Sequence, residues 1–162
     1  MYAKRSVSTR IAKYLFVVII FMGIISSLSL LVMASNKSDA EAINISGSLR
    51  MQSYRLLTEM ERSPDTVEQN LVRYQRSLNA EALLSVQNQL FAPSGVRESY
   101  QKILQRWAVM SDFARAHQIE KYHAELKSYV QDVDDFVLEL QRFAEQKWIS
   151  AVSVLCVSML LI

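Results

Sequence analysis

The chain has 162 residues, 51% of them apolar, and 18 lysines and arginines against 16 acids give it a formal charge of +2. Three glycines and two prolines are too few turn formers for a strand-rich fold, and a single cysteine, Cys156, excludes an internal disulfide or a cysteine-based metal site. Lys4, Arg5, Arg10 and Lys13 precede the first apolar run with no acid among them; beyond them 14 bases face 16 acids, the opposite of a nucleic-acid binder.

The basic cluster lies in residues 1–13, and its position predicts a cytoplasmic N-terminus by the positive-inside rule. Residues 14–35, Tyr14 to Ser35, carry no charge. At about 1.5 Å per residue a helix of that length covers the roughly 30 Å hydrocarbon core of a bilayer. A cleaved signal peptide is the competing reading, since Val32-Met33-Ala34 has the look of a cleavage site, but secretory apolar cores run to only about 7–15 residues. Gly23 and Ser27 form a small-xxx-small pair of the kind that brings membrane helices together; a face toward lipid is the alternative.

From Asn36 the helix is expected to continue to Arg62, because no strong stop intervenes. Two stripes run along it. Ile43, Gly47, Arg50, Tyr54 and Leu57 form one, and Ile45, Leu49, Gln52, Leu56 and Met60 form the other. A helix at the edge of one bundle needs a single apolar stripe, so two stripes predict two partners: its own bundle and another copy of the chain. Arg50 then lies on a seam, where a cation is costly unless something negative meets it.

The run from Ala40 to Leu56, AEAINISGSLRMQSYRL, resembles the signature of nitrate/nitrite sensor histidine kinases of the NarX/NarQ type. The resemblance implies that Arg50 and its symmetry mate clamp nitrate at the interface of a homodimer, with Gly47 letting the ligand approach the backbone. Ser46 and Ser53 are candidate further donors, with a position facing water as the alternative. Ser46, Glu41 and Ile45 depart from the family pattern and bear on the choice between nitrate and nitrite.

The chemistry suits the residue. A guanidinium is a planar, permanently charged fork, more weakly hydrated than an ammonium, and two forks can grip one small planar anion through charge-assisted hydrogen bonds. Nitrate and nitrite both have a two-fold axis, so either fits on the axis of a dimer. Without an anion, two such charges about 6 Å apart at an effective dielectric near 20 repel by roughly 3 kcal/mol. The plain alternative is that Arg50 snorkels or pairs with an acid, as most helical arginines do. Arg55, about 140° around the helix, reads as a surface or bundle ion pair.

Ser63-Pro64-Asp65 is the first punctuation, with Ser63 as the expected N-cap and Pro64 at the first helical position. Val67, Leu71, Tyr74 and Leu78 give the second helix one apolar face, which is expected to fade between Asn79 and Asn88. Phe91-Ala92-Pro93-Ser94-Gly95 is the second punctuation. Val96, Tyr100, Ile103, Leu104, Trp107 and Met110 mark a third helix. After a turn near His117, Tyr122, Leu126, Tyr129, Val133, Phe136, Leu140 and Phe143 mark a fourth that runs into Trp148. Asp132, Asp134 and Asp135 read as its solvated face, because a calcium loop would need a glycine turn. His117 and His123, six residues apart, do not share a helical face and make a poor metal pair.

Residues 148–162 are apolar but number 15, below the roughly 20 a membrane helix needs. They are expected to begin a truncated second transmembrane helix, with Lys147 and Trp148 at its outer interface.

The expected fold is therefore all-α: an antiparallel four-helix bundle, residues 36–147, between two transmembrane helices. The expected function is a periplasmic nitrate/nitrite-sensing input module at the bacterial inner membrane. Its expected partners are a second copy, a small anion and the lipid bilayer, with no nucleic acid, cofactor or metal. No catalytic residues are expected, since the family's kinase core lies outside this sequence. The alternative is a chemoreceptor-type, PilJ-like input bundle with another small ligand or none.

Overall fold

The computed structural model describes residues 3–89 and 92–160. They form helix α1 (Ala3–Arg62), a 3₁₀ turn (Pro64–Thr66), α2 (Val67–Leu78), α3 (Glu81–Gln87), α4 (Ser94–Arg115) and α5 (Ile119–Leu160). The chain divides into two units, Lys37–Lys147 and the pair of segments Met1–Asn36 and Trp148–Ile162.

The unit Lys37–Lys147 is a bundle of four legs: α1, α2 with α3, α4, and α5. Each leg runs against its neighbours. Along α1 and the second leg, Glu59 meets Asn70, Gln52 meets Ser77, and Ser38 meets Ser85. Along α2 and α4, Glu68 meets Arg115, Tyr74 stacks on Trp107, and the Leu78 carbonyl meets Tyr100. Along α4 and α5, Arg106 meets Glu125 and Ser128. The apolar stripes expected for α2, α4 and α5 are the core; Tyr122, Tyr129, Val133 and Phe136 are fully buried, and only Leu104 among the α4 set is half-buried.

The second leg differs from its expectation. It does not fade after Asn79 but breaks there and resumes as α3, which buries Ala82, Leu83 and Val86. Ala80 is extended (φ −61°, ψ 138°), so the helical ladder is interrupted. The Leu78 carbonyl accepts instead from the Tyr100 hydroxyl at 2.7 Å, so a buried acceptor keeps a partner. Ser63 is the N-cap of the 3₁₀ turn and Pro64 opens it, as expected, but the Ser63 side chain makes no capping bond; its carbonyl accepts from the backbone and hydroxyl of Thr66. The turn at His117 takes a left-handed φ of 52°. Gln118 N–H donates to the Phe113 carbonyl and His117 N–H to that of Ala114, which closes α4 as a Schellman motif without glycine. Phe91, part of the expected second punctuation, lies outside the described residues.

In the other unit, α1 is continuous from the apolar run into the bundle. Among the described residues it is the one helix long and apolar enough to cross a membrane. Its large side chains from Ile11 to Met33 are mostly exposed.

Candidate functional site

The α1 segment around Arg50 sorts its residues by helical geometry. Ala42, Ser46, Leu49, Ser53, Leu56 and Met60 turn into the bundle and are at most 1% exposed. Ile45 and Gln52 flank them, half-buried. The first expected stripe stays outside the core: Arg50 and Tyr54 are exposed, and Ile43, Gly47 and Leu57 are half-buried. Met51 and Tyr54, at 67% and 50% exposure, leave large apolar surface beside Arg50.

Arg50 itself meets a carboxylate. Its Nη1 donates to Oδ1 of Asp134, on α5, at 2.7 Å, and both side chains are about two-fifths exposed (46% and 37%). Its Nε makes a long contact of 3.5 Å to the Gly47 carbonyl. The fork thus folds back over the glycine: a Cβ at position 47 would lie 3.7 Å from Nη2. Nη2 has no hydrogen-bond partner among the described residues, so one carboxylate oxygen leaves part of the donor fork available. At this exposure an ion pair contributes about 0–1 kcal/mol.

The two serines are not at the surface. Ser46 Oγ donates to the Ala42 carbonyl, and Ser53 Oγ lies 3.0 Å from the Leu49 carbonyl and 2.8 Å from that of Arg50. A buried hydroxyl needs an acceptor, and the carbonyl one turn back is the nearest. The alternative that these hydroxyls face water is therefore corrected: both are buried, and each donates within α1. Ser53 also offers its carbonyl to the Tyr122 hydroxyl of α5 at 2.9 Å. Burial pushes the Tyr122 phenol well above its ordinary pKa, with Tyr129 adding to the shift, so it stays a neutral donor.

The acidic cluster of α5 is more than a solvated face. Asp132 is buried and bridges Lys102 at 2.7 Å and Arg106 at 3.2 Å. Asp134 meets Arg50, and only Asp135 is exposed, accepting from Gln131. No local signal marks Asp134, because its partner is 84 residues away. Arg55 pairs with Glu59 at 2.7 Å, one turn on, as a surface ion pair. Lys147 pairs with Asp39 and donates to Gln89. Among the described residues no group of three His, Cys, Asp or Glu is placed to hold a metal ion.

Residues 31–129 match the sequence model of the PilJ family, the N-terminal domain of type IV pili methyl-accepting chemotaxis transducers. The chain belongs to this family. The PilJ-family match takes in the bundle part of α1, with Gly47 and Arg50, and ends at Tyr129, before Asp134. Two relatives carry sensor names. The chain is 64% identical over all of its 162 residues to the Sensor protein NarQ homolog of Haemophilus influenzae, of which it covers 29%. It is 33% identical over 154 residues, 95% of its length, to the Nitrate/nitrite sensor protein NarQ of Escherichia coli K12, of which it covers 27%. The chain thus spans under a third of the length of either relative. The likeness to NarX/NarQ-type sensors, read from Ala40–Leu56, extends over the whole chain.

Proposed function

We propose that this PilJ-family chain is the nitrate/nitrite-sensing input module of a membrane-bound two-component sensor kinase. Residues 1–13 are cytoplasmic, residues 14–35 cross the bacterial inner membrane, residues 36–147 form the periplasmic bundle, and residues 148–162 begin a second crossing. Two copies associate through the outward faces of α1, and one anion lies between their Arg50 side chains, close to Gly47. Binding shifts α1 against α5, and the shift passes to the membrane spans and on to a histidine kinase elsewhere in the protein.

One observation carries this reading. Arg50 stands on a face of α1 that its own bundle covers only in part, with Gly47 beneath its fork and the exposed Met51 and Tyr54 beside it. Apolar surface around a cation suits an interface closed by a second copy, where aromatic, methionine and arginine side chains are enriched. The E. coli relative's name supports the choice of ligand. The test is calorimetric titration of the full chain in lipid nanodiscs with nitrate, nitrite, chloride and sulfate. Heat is expected for the nitrogen oxyanions and is lost in Arg50→Ala. No heat with either nitrate or nitrite overturns the reading.

A second reading has its own observation. Arg50 already meets Asp134 within its bundle. In that reading the pair is structural, and the domain is a chemoreceptor-type input module with another small ligand or none. It expects Arg50→Ala to alter stability and to leave the response to anions unchanged.

A further inference from the structure

The polar contacts that tie α1 to α5 are not alike. Asp39 and Lys147 join through a carboxylate 5% exposed, and the fully buried Tyr122 donates to the Ser53 carbonyl. Arg50–Asp134 lies between them in register, yet it is open to solvent on both sides. The neighbouring acids have other partners: Asp132 holds Lys102 and Arg106, and Asp135 accepts from Gln131. Asp134 is thus the carboxylate of its cluster that addresses Arg50.

A carboxylate is itself a small planar oxyanion, and it takes the same in-plane guanidinium donors as a nitrogen oxyanion. A second monoanion brought to the same fork would stand a few ångströms from the carboxylate, and like charges at that range repel. We infer that Asp134 is a tethered oxyanion that occupies Arg50 when no ligand is present, so that anion binding and the Arg50–Asp134 bridge exclude each other. The inference rests on the anion-site reading of Arg50 and adds a residue to it. Asp134 lowers the apparent affinity for the anion. In exchange, each binding event removes, in each protomer, one contact between the helix that carries the site and the helix that leads to the second apolar segment. Because the bridge is exposed, it is weak enough for a small anion to displace.

The experiment compares nitrate titrations of the full chain in nanodiscs for wild type, Asp134→Asn, Asp134→Ser and Asp134→Glu. Removing the charge is expected to tighten nitrate binding about two- to fivefold, the range an exposed ion pair commands. Asn and Ser should agree, and Glu, which keeps the charge, should return toward the wild-type value. A purely structural partner would not tighten binding when removed. Wild-type binding with unchanged or weaker affinity in both Asn and Ser overturns the inference and leaves the anion site standing. Equal tightening in Glu also overturns it, since charge would not be the cause. If the wild type binds neither nitrate nor nitrite, the anion-site reading falls and takes the inference with it.

Discussion

Lys147 of α5 reaches back to Asp39 of α1, its ammonium nitrogen 2.5 Å from a carboxylate oxygen almost sealed from solvent. The Gln89 side chain accepts from the same ammonium at 2.7 Å, and the Phe143 ring lies 4.4 Å from it. These groups join three legs of the bundle close to the residues where its unit begins and ends. Breaking a buried pair by removing one partner leaves an uncompensated charge. Asp39→Asn or Lys147→Met is expected to cost about 3 kcal/mol each, and the double substitution much less than the sum. Chemical denaturation followed by circular dichroism measures the cycle; additive costs would show that the two charges do not interact.

The hydroxyls of Tyr74 and Tyr129 share one buried hydrogen bond of 2.7 Å, beneath Trp107, whose ring stacks on Tyr74 at 3.6 Å. Removing one hydroxyl strands the other, at about 1–3 kcal/mol. Removing both leaves no unsatisfied group. Tyr74→Phe and Tyr129→Phe are therefore each expected to lower the denaturation midpoint, and the double variant to recover most of the loss.

Alkaline pH should find the same core. Burial raises the phenol pKa of Tyr74, Tyr122 and Tyr129, with neighbouring phenols adding to the shift for Tyr74 and Tyr122. The folded state therefore holds these protons above the ordinary tyrosine pKa of about 10, whereas the unfolded state releases them. Stability from this source is complete below about pH 10 and declines above it. Tyrosinate absorbance should report these three phenols only as the bundle unfolds; smooth titration in the folded protein would show that they are solvated.

Gly47→Ala separates stability from binding. The added methyl would meet Arg50 Nη2 at 3.7 Å, an ordinary contact, so nothing among the described residues resists it. The helix gains up to about 1 kcal/mol from the better propensity of alanine. On the proposed anion site, nitrate binding is expected to weaken about tenfold, since a methyl crowding the anion costs roughly 1–3 kcal/mol. A thermal melt and a titration of the same variant check both halves.

Arg50→Lys keeps the charge and loses the fork. Loss of one charge-assisted hydrogen bond, about 1.5 kcal/mol, weakens nitrate binding roughly tenfold. Calorimetry decides; an unchanged affinity would count against recognition by a planar fork.

The helices and their buried faces are legible in the amino-acid sequence because helical periodicity is local: Tyr122 to Phe143 or Val96 to Met110 define a face without reference to any other element. The continuity of α1 through Asn36 follows from the lack of a stop signal, and the Gly47–Arg50 motif is a contiguous string. What the string cannot carry is the pairing of distant groups. That Asp134 meets Arg50, that Asp132 is buried between Lys102 and Arg106, and that Lys147 pairs with Asp39 all depend on the register of packed legs. The same holds for Ser46 and Ser53, whose burial depends on which side of α1 the other legs occupy. It holds too for the break at Asn79–Ala80, tolerated because Tyr100, 22 residues on from Leu78, supplies the missing donor. Local spacing sets which face a residue lies on; only the packed bundle sets which partner it meets there.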